Sequence, residues 1–368
     1  MTGPWVSVLM VLGRRTILTL PIVDLKGTPY AMGLTHGRTL TTQIKANFNA
    51  YLQMIQNSSG LNPDVISILA KKFLPELERA APQILEEMQG IADGAGVSME
   101  TVLVINARSE LAFPDQLGAE CTVIGLSGRR TTSGRVLMAQ NWDWIPAVKH
   151  TTVFFRIQPQ GLPRILMLAE AGQVGKLGFN ETGLGLMLNL LIGKGVRWGV
   201  PTHVLLRQVL SAATIEQATA MIRGAKCAAS SHMLLGAAAG NIIGLEVSPA
   251  GVAEIGPKDG IVLHTNHFCD ALLSKQDLAL DIVPDTTVRL SRATSLCERR
   301  EKWDAESIRE VLSDHANEPS SICRHIDPQK PEHARMETLV SLIFDLNAKT
   351  AWVAHGQPCR SAYEHVEL

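Results

Sequence analysis

Cys121 stands in "GAECTVIGL", residues 118–126, between a polar, turn-prone lead-in and an apolar run that predicts a buried strand. Most buried cysteines are inert apolar fillers. A different chemistry opens if the chain is cut just before this one. The new terminal residue then carries a thiol and a free α-amine on one carbon. An amine of pKa about 7.7 to 8.0 serves as the thiol's own general base at neutral pH. No separate histidine is then needed, and the nearest of the 11 in sequence is His150. The cut needs no protease if a strained turn lets the thiol attack the Glu120 carbonyl, move the acyl group from nitrogen to sulfur and leave a thioester for water.

Other polar residues have ordinary readings beside functional ones. Asn189 ends the alternating run "GLGLMLN", where an amide is costly unless its donors have a use; an asparagine turning the chain at a strand end is the equal alternative. Asp143 in "QNWDW" reads as a turn or capping carboxylate, and Arg324 in "SICRH" as a surface arginine. His264 and His267 in "HTNH" lack a third ligand at a recognisable spacing, and the six cysteines show no CxxC pair, so no metal is expected. The glycines of "GLGLMLNLLIGKG" lie within alternating strand residues and not at a strand-to-helix turn, which excludes a phosphate loop.

The elements that must carry these residues follow from periodicity and breakers. Residues 35–55 have helical spacing with Thr35 at the start, and 62–93 continue as helices interrupted at Pro75 and Pro82 and closed by "DGAGVS". The first third is thus expected to be mainly helical. From Cys121 onward, "CTVIGL", "GRVLMAQNWD", "TTVFFRIQ", "RILMLAE", "GKLGFN" and "GLGLMLNLL" predict hairpin-connected strands. Two helices over 201–224, three strands, a helical stretch over 285–313 and a closing hairpin around "LNAKT" complete the chain. With no linker or repeat, one compact α+β unit is expected.

Lys+Arg 34 against Asp+Glu 35 leaves a formal charge of -1, so nothing attracts nucleic acid or an anionic membrane, and a small-molecule partner is expected. Scattered cysteines predict reduced thiols and a cytoplasmic location. The run "MTGPWVSVLMVLGRR" is too short to span a bilayer and carries its charges on the wrong side for a signal peptide, so it reads as a packing extension.

"GTPYAMGLTHG" (27–37), "ARSELAF" (107–113), "ECTVIGL" (120–126), "QNWDW" (140–144), "GKLGFNETGLGLMLNLL" (175–191), "GVPTHVLLR" (199–207), "LEVSP" (245–249), "HTNHF" (264–268) and "SICRH" (321–325) follow one another in a recognisable order. In this the chain resembles the acyl-coenzyme A:6-aminopenicillanic acid acyltransferase family of N-terminal-nucleophile hydrolases. The resemblance implies a four-layer αββα sandwich and a precursor that cuts itself between Glu120 and Cys121. A helical segment 1–120 would remain as the non-covalent partner of a strand-rich catalytic segment 121–368. It also implies Cys121 as nucleophile, Asn189 as oxyanion donor, Asp143 as a buried carboxylate near the nucleophile and Arg324 as its cationic partner. Glu120 and Val123 depart from the pattern, where a fungal member has glycine and threonine. The expected activity is formation of an acyl-thioester on Cys121 and transfer to an amine or water, with no cofactor and with acyl-coenzyme A as a conceivable substrate. A plain N-acyl amide or lactam amidohydrolase, and an unprocessed binding protein, are the alternatives.

Overall fold

The computed structural model describes residues 20–112 and 120–368; the reading of the N-terminal run and the lead-in just before Glu120 fall outside these. The described residues open on a strand not assigned from the sequence, β1 (Ile22–Gly27), and the other described residues of the first third are mainly helical, as expected. Helices follow at α1 (Pro29–Thr39), α2 (Thr41–Ser59), α3 (Pro63–Lys71), α4 (Leu74–Ala80), α5 (Pro82–Ala95), α6 (Met99–Asn106) and α7 (Arg108–Leu111). The boundaries have local causes. The Thr28 hydroxyl accepts from the Ala31 N–H at 3.3 Å ahead of Pro29, and Asn62 caps Val65 at 3.0 Å ahead of Pro63. Gly60 and Gly96, at φ 69° and 60°, end α2 and α5 in the left-handed region open to glycine. Thr35, expected as a cap, instead lies inside α1, and the helix anticipated over 35–55 breaks at Leu40.

The glycines of "GTPYAMGLTHG" explain how α1 meets α5. A Cβ on Gly33 would stand 1.9 Å from the Glu87 carbonyl oxygen, and one on Gly37 2.3 Å from that of Ile91. Only bare backbone permits this approach.

The remaining elements are β2 (Glu120–Leu126), β3 (Leu137–Trp144), β4 (Thr152–Pro159), β5 (Ile165–Glu170), β6 (Leu177–Asn180), β7 (Leu184–Leu190), α8 (Thr202–Leu210), α9 (Ile215–Gly224), β8 (Ser231–Ala237), β9 (Ile242–Ser248), β10 (Gly251–Ile255) and β11 (Ile261–His264). After them come α10 (Ala279–Ile282), α11 (Asp285–Cys297), α12 (Ala305–Leu312), β12 (Glu337–Asp345), β13 (Thr350–His355) and β14 (Glu364–Glu367). The expected final hairpin is β12–β13, but β14 follows and pairs with β13.

One sheet runs β1-β4-β5-β6-β7-β8-β9-β10 and the other β11-β2-β3-β12-β13-β14. Among these described strands only β1 with β4 is parallel; their other pairings are antiparallel. The two sheets face each other. Gln140 of β3 donates to the Leu188 carbonyl of β7 at 2.7 Å and accepts its N–H at 3.1 Å, and Phe179 meets Phe344 edge-on at 5.2 Å. Because side chains alternate along a strand, Cys121 and Val123 point into this inter-sheet layer, whereas Ile124 and Leu126 pack outward on Ala293, Cys297, Ile308 and Leu312 of α11 and α12. Helices α2, α6 and α8 cover the other sheet: Asn47 donates to the Ala171 carbonyl at 2.8 Å, Asn106 to Gly172 at 2.8 Å, and the Leu210 carbonyl accepts from Asn180 at 2.9 Å. The result is the four-layer αββα sandwich. Residues on both sides of Cys121 share its main core. No helix among the described residues is long and apolar enough to cross a membrane.

Candidate active site

Cys121 is the second residue of β2, paired across the ladder with Trp142, and is 5% exposed. Its backbone is gripped from three elements. The Cys121 N–H donates to Asn266 Oδ1 at 2.8 Å, while its carbonyl accepts from Arg289 Nη1 at 2.8 Å and from Asn189 Nδ2 at 3.3 Å. Arg289 also donates to Asn266 Oδ1 at 3.0 Å and holds Asp285 one helical turn earlier at 2.8 Å. Neither Asn266 nor Arg289 belongs to the site expected from sequence. Asn266 lies in "HTNHF", so its position offers a signal. Arg289 offers none, because an Asp–Arg pair four apart on a helix normally marks a solvated face.

Asn189, which reaches the Cys121 carbonyl directly, is held from behind by a chain of buried rings. Its Oδ1 accepts from His232 Nδ1 at 2.8 Å, which turns the amide nitrogen toward Cys121; His232 stacks on His264 at 3.8 Å. His264 Nε2 then pairs with Glu246 at 2.8 Å. Burial opposes the charged ring, but Cys269 and Glu246 outweigh it and push His264 up to about 9. The His267 ring, 6.4 Å from that of His264, hydrogen-bonds the Thr286 hydroxyl at 3.0 Å.

On the opposite face of β3 from Trp142, Asp143 is fully buried and accepts from the Thr338 hydroxyl at 2.6 Å. Burial pushes its carboxyl up to about 7, against that hydrogen bond and the charge of Arg289. The anticipated Asp143–Arg324 ion pair is not formed. Arg324, 3% exposed, instead pairs with Glu120 and, at 2.6 Å, with Asp285. Thr338 links the two at one remove, accepting the Arg324 main-chain N–H at 2.9 Å while donating to Asp143. The correction follows from strand alternation: Glu120 shares the outward face of β2 with Thr122 and reaches the arginine first. Arg324 is therefore no surface residue; it neutralises the residue before the expected cut.

The Cys121 side chain lines a cavity of only about 10 Å³, shared with Arg108, Trp142, Trp144, Lys176 and Leu188. Lys176, unmarked in the sequence, is 2% exposed, lies 3.0 Å above the Trp142 ring and pairs with Glu170 at 2.7 Å. Burial pulls its amine down to about 7 although Glu170 opposes. Burial and the Asp143 carboxylate push the thiol up to about 12, with the Asp143 main chain, Arg289 and Lys176 pulling the other way. While residue 121 is joined to Glu120 its nitrogen is an amide, and the thiol stays protonated. Beyond Glu120 lies a second, larger cleft of about 980 Å³ between α2 and residues 326–336, walled by Met54, Ile145, Ile326 and Met336.

Residues 129–360 match the family described as acyl-coenzyme A:6-aminopenicillanic acid acyl-transferase. The chain is 29% identical over 341 residues to the 40 kDa form of acyl-coenzyme A:6-aminopenicillanic-acid-acyltransferase of Emericella nidulans, covering 91% of this chain and 92% of that protein. It is 27% identical over 228 residues to protein dcd1A of Dictyostelium discoideum, covering 51% and 49% respectively. Among solved structures it is similar to penicillin V acylase from Agrobacterium tumefaciens, with 14% identity, 67% of this chain and 86% of that one covered, and a TM-score of 0.46. With more than half of its length matched by the family model, the chain belongs to the acyl-coenzyme A:6-aminopenicillanic acid acyl-transferase family.

Proposed function

We propose that the protein cuts its own chain between Glu120 and Cys121 and then works as an N-terminal-cysteine acyltransferase. The observation that carries this reading is the three-point hold on the Cys121 backbone by Asn266, Arg289 and Asn189, with the thiol kept neutral in a nearly closed cavity. Such a hold has little purpose around a packing cysteine. It fits a residue whose amide must become an amine without moving. In the cut, the thiol attacks the Glu120 carbonyl carbon, its proton passes to the departing nitrogen, the C–N bond breaks and a Glu120 thioester remains. Water then releases the Glu120 carboxylate and restores the thiol beside a free α-amine.

In turnover the amine takes the thiol proton, the thiolate attacks the acyl carbonyl, and the proton is returned to the leaving amine or thiolate. The acyl group then passes from Cys121 to an amine or to water. The Asn189 amide nitrogen, whose present contacts at 3.3 Å and 3.4 Å are long, supplies the donor to the developing oxyanion. The incoming acyl carbonyl takes the seat of the Glu120 carbonyl, and the apolar cleft that Glu120 lines receives its chain, with Lys330 and Arg335 beside it for an anionic head. Acyl-coenzyme A enters as one candidate substrate, alongside N-acyl amides and lactams.

Intact-mass measurement of denatured protein tests the cut: two fragments, 1–120 and 121–368, are expected, the larger beginning "CTVIGL". Full-length protein with full activity, or a processed and active Cys121→Ser variant, overturns the reading. Acyl-coenzyme A with free amines, set against simple N-acyl amides, separates transfer from plain hydrolysis.

A further inference from the structure

Two loops beyond the catalytic layer bring together four residues that the sequence keeps apart. His315 follows α12, Cys323 and His325 flank Arg324, and Cys359 lies between β13 and β14. Their Sγ and Nε2 atoms converge: Cys323 Sγ to Cys359 Sγ is 3.6 Å, His325 Nε2 is 3.7 Å from Cys323 Sγ and 3.4 Å from Cys359 Sγ, and His315 Nε2 to His325 Nε2 is 3.1 Å. One ligand atom from each residue lies within 4.8 Å of all the others.

A tetrahedral zinc ion with Zn–S near 2.3 Å and Zn–N near 2.05 Å requires ligand edges of about 3.8 Å for S–S, about 3.6 Å for S–N and about 3.3 Å for N–N. Four of the six edges come within about 0.2 Å of these, and the two from His315 to the sulfurs stay within 4.8 Å. We propose that His315, Cys323, His325 and Cys359 form a structural zinc site. Two thiolates and two neutral imidazoles make the closed donor set of a structural centre, with no position left for water chemistry. Two thiolates also cancel the ion's charge, so a half-buried site bears no net burden. Cys323 is buried, the histidines are half-buried and Cys359 is exposed, which leaves the ion a route in. The expectation of no metal rests on the missing CxxC spacing; positions 315, 323, 325 and 359 have none because the ligands come from separate loops.

The site would also brace the catalytic layer. Arg324 lies between two of the ligands, and its ion pairs with Glu120 and Asp285 depend on where that loop is held. The second cluster of potential ligands, Glu246, His264 and Cys269, is already committed: Glu246 accepts from His264 at 2.8 Å and from the Cys269 and Asp270 N–H groups at 2.5 Å and 3.0 Å.

Full-length protein purified under reducing conditions after growth with added zinc is the test, with metal content read by mass spectrometry. About one zinc per chain is expected, releasing close to two protons when zinc is added back to chelator-treated protein. Cobalt(II) in its place should give visible bands of tetrahedral coordination with a sulfur-to-metal charge-transfer band. Cys359→Ser, at an exposed loop position, and His315→Ala should lose the ion while circular dichroism is retained, and Cys269→Ser should keep it. Metal-free protein, zinc that survives in Cys359→Ser, zinc lost in Cys269→Ser, or a quantitative Cys323–Cys359 disulfide in zinc-supplied protein would each overturn the assignment.

Discussion

Asn266→Leu removes the acceptor that seats the Cys121 nitrogen while keeping a similar branched shape. Two buried donors and a half-buried acceptor lose a partner at once: the Cys121 N–H at 2.8 Å, one Arg289 N–H at 3.0 Å and the Leu190 carbonyl at 3.0 Å. The residue's own main-chain bond to the Thr286 hydroxyl survives. Stranding a buried polar group costs about 1–3 kcal/mol, so the two fully buried donors alone should cost the variant about 2–6 kcal/mol of stability, a serious part of the ~5–15 kcal/mol of a folded domain. The kinetic consequence is separate. As the free amine of residue 121 takes the thiol proton, its bond to Asn266 becomes charge-assisted and worth ~1.5–3 kcal/mol, which at 1.36 kcal/mol per decade corresponds to ~10- to 100-fold in rate. Asn266 touches the amine, not the bulk of the substrate, so kcat should fall with KM nearly unchanged. Asn266→Asp keeps an oxygen toward both donors and should recover most of the loss. The assay follows the precursor band with time on denaturing gels and turnover of a chromogenic N-acyl amide, with circular dichroism as the check on folding. A folded Asn266→Leu protein that matures and turns over within about 3-fold of wild type would refute the reasoning, as would an Asn266→Asp protein no better than the leucine variant.

Three further outcomes follow from the same geometry. Asn189→Ala should fold yet lose ~10²- to 10³-fold in turnover, the usual cost of an oxyanion donor; near-normal turnover removes Asn189 from that role. In uncut protein at pH 8, iodoacetamide should label exposed Cys269 and spare Cys121, whose thiol is held up at about 12; after the cut Cys121 should react first, and equal labelling in both forms contradicts the amine as base. Against the cost of burial, Cys269 and Glu246 raise the folded pKa of His264 to about 9 from 6.5, so the stabilisation is complete below pH 6.5 and is lost as pH rises through 9. Measured as the stability difference between wild type and His264→Gln, that amounts to about 3 kcal/mol at pH 6; a difference that stays constant from pH 6 to 9.5 would show that the ring is not charged.

Local physics makes much of this chain legible from its residues alone. Pro63, Pro75 and Pro82 open α3, α4 and α5, and Gly96 ends α5, because each acts on its own backbone. Alternating apolar runs become β2 to β7 for the same reason. Cys121 at the head of an apolar strand, and Asn189 at the end of another, are visible as polar or reactive groups in places where such groups are costly. What the sequence does not reveal are pairings between distant residues, whose energies depend on which faces meet. β1 reads as part of a helical third because its value lies in a parallel partner, β4, more than a hundred residues away. Asp143 and Arg324 match each other as opposite charges, yet alternation along β2 turns Glu120 toward the arginine and leaves Thr338 between them. Arg289 and Lys176 carry no chemical mark of their own, and Asn266 is marked only by its place in "HTNHF"; the stacking of two sheets and the docking of α11 bring their charges and amides to the Cys121 backbone and cavity. The same holds for His315, Cys323, His325 and Cys359, where ligand geometry is a property of two loops meeting in space and spacing along the chain is silent.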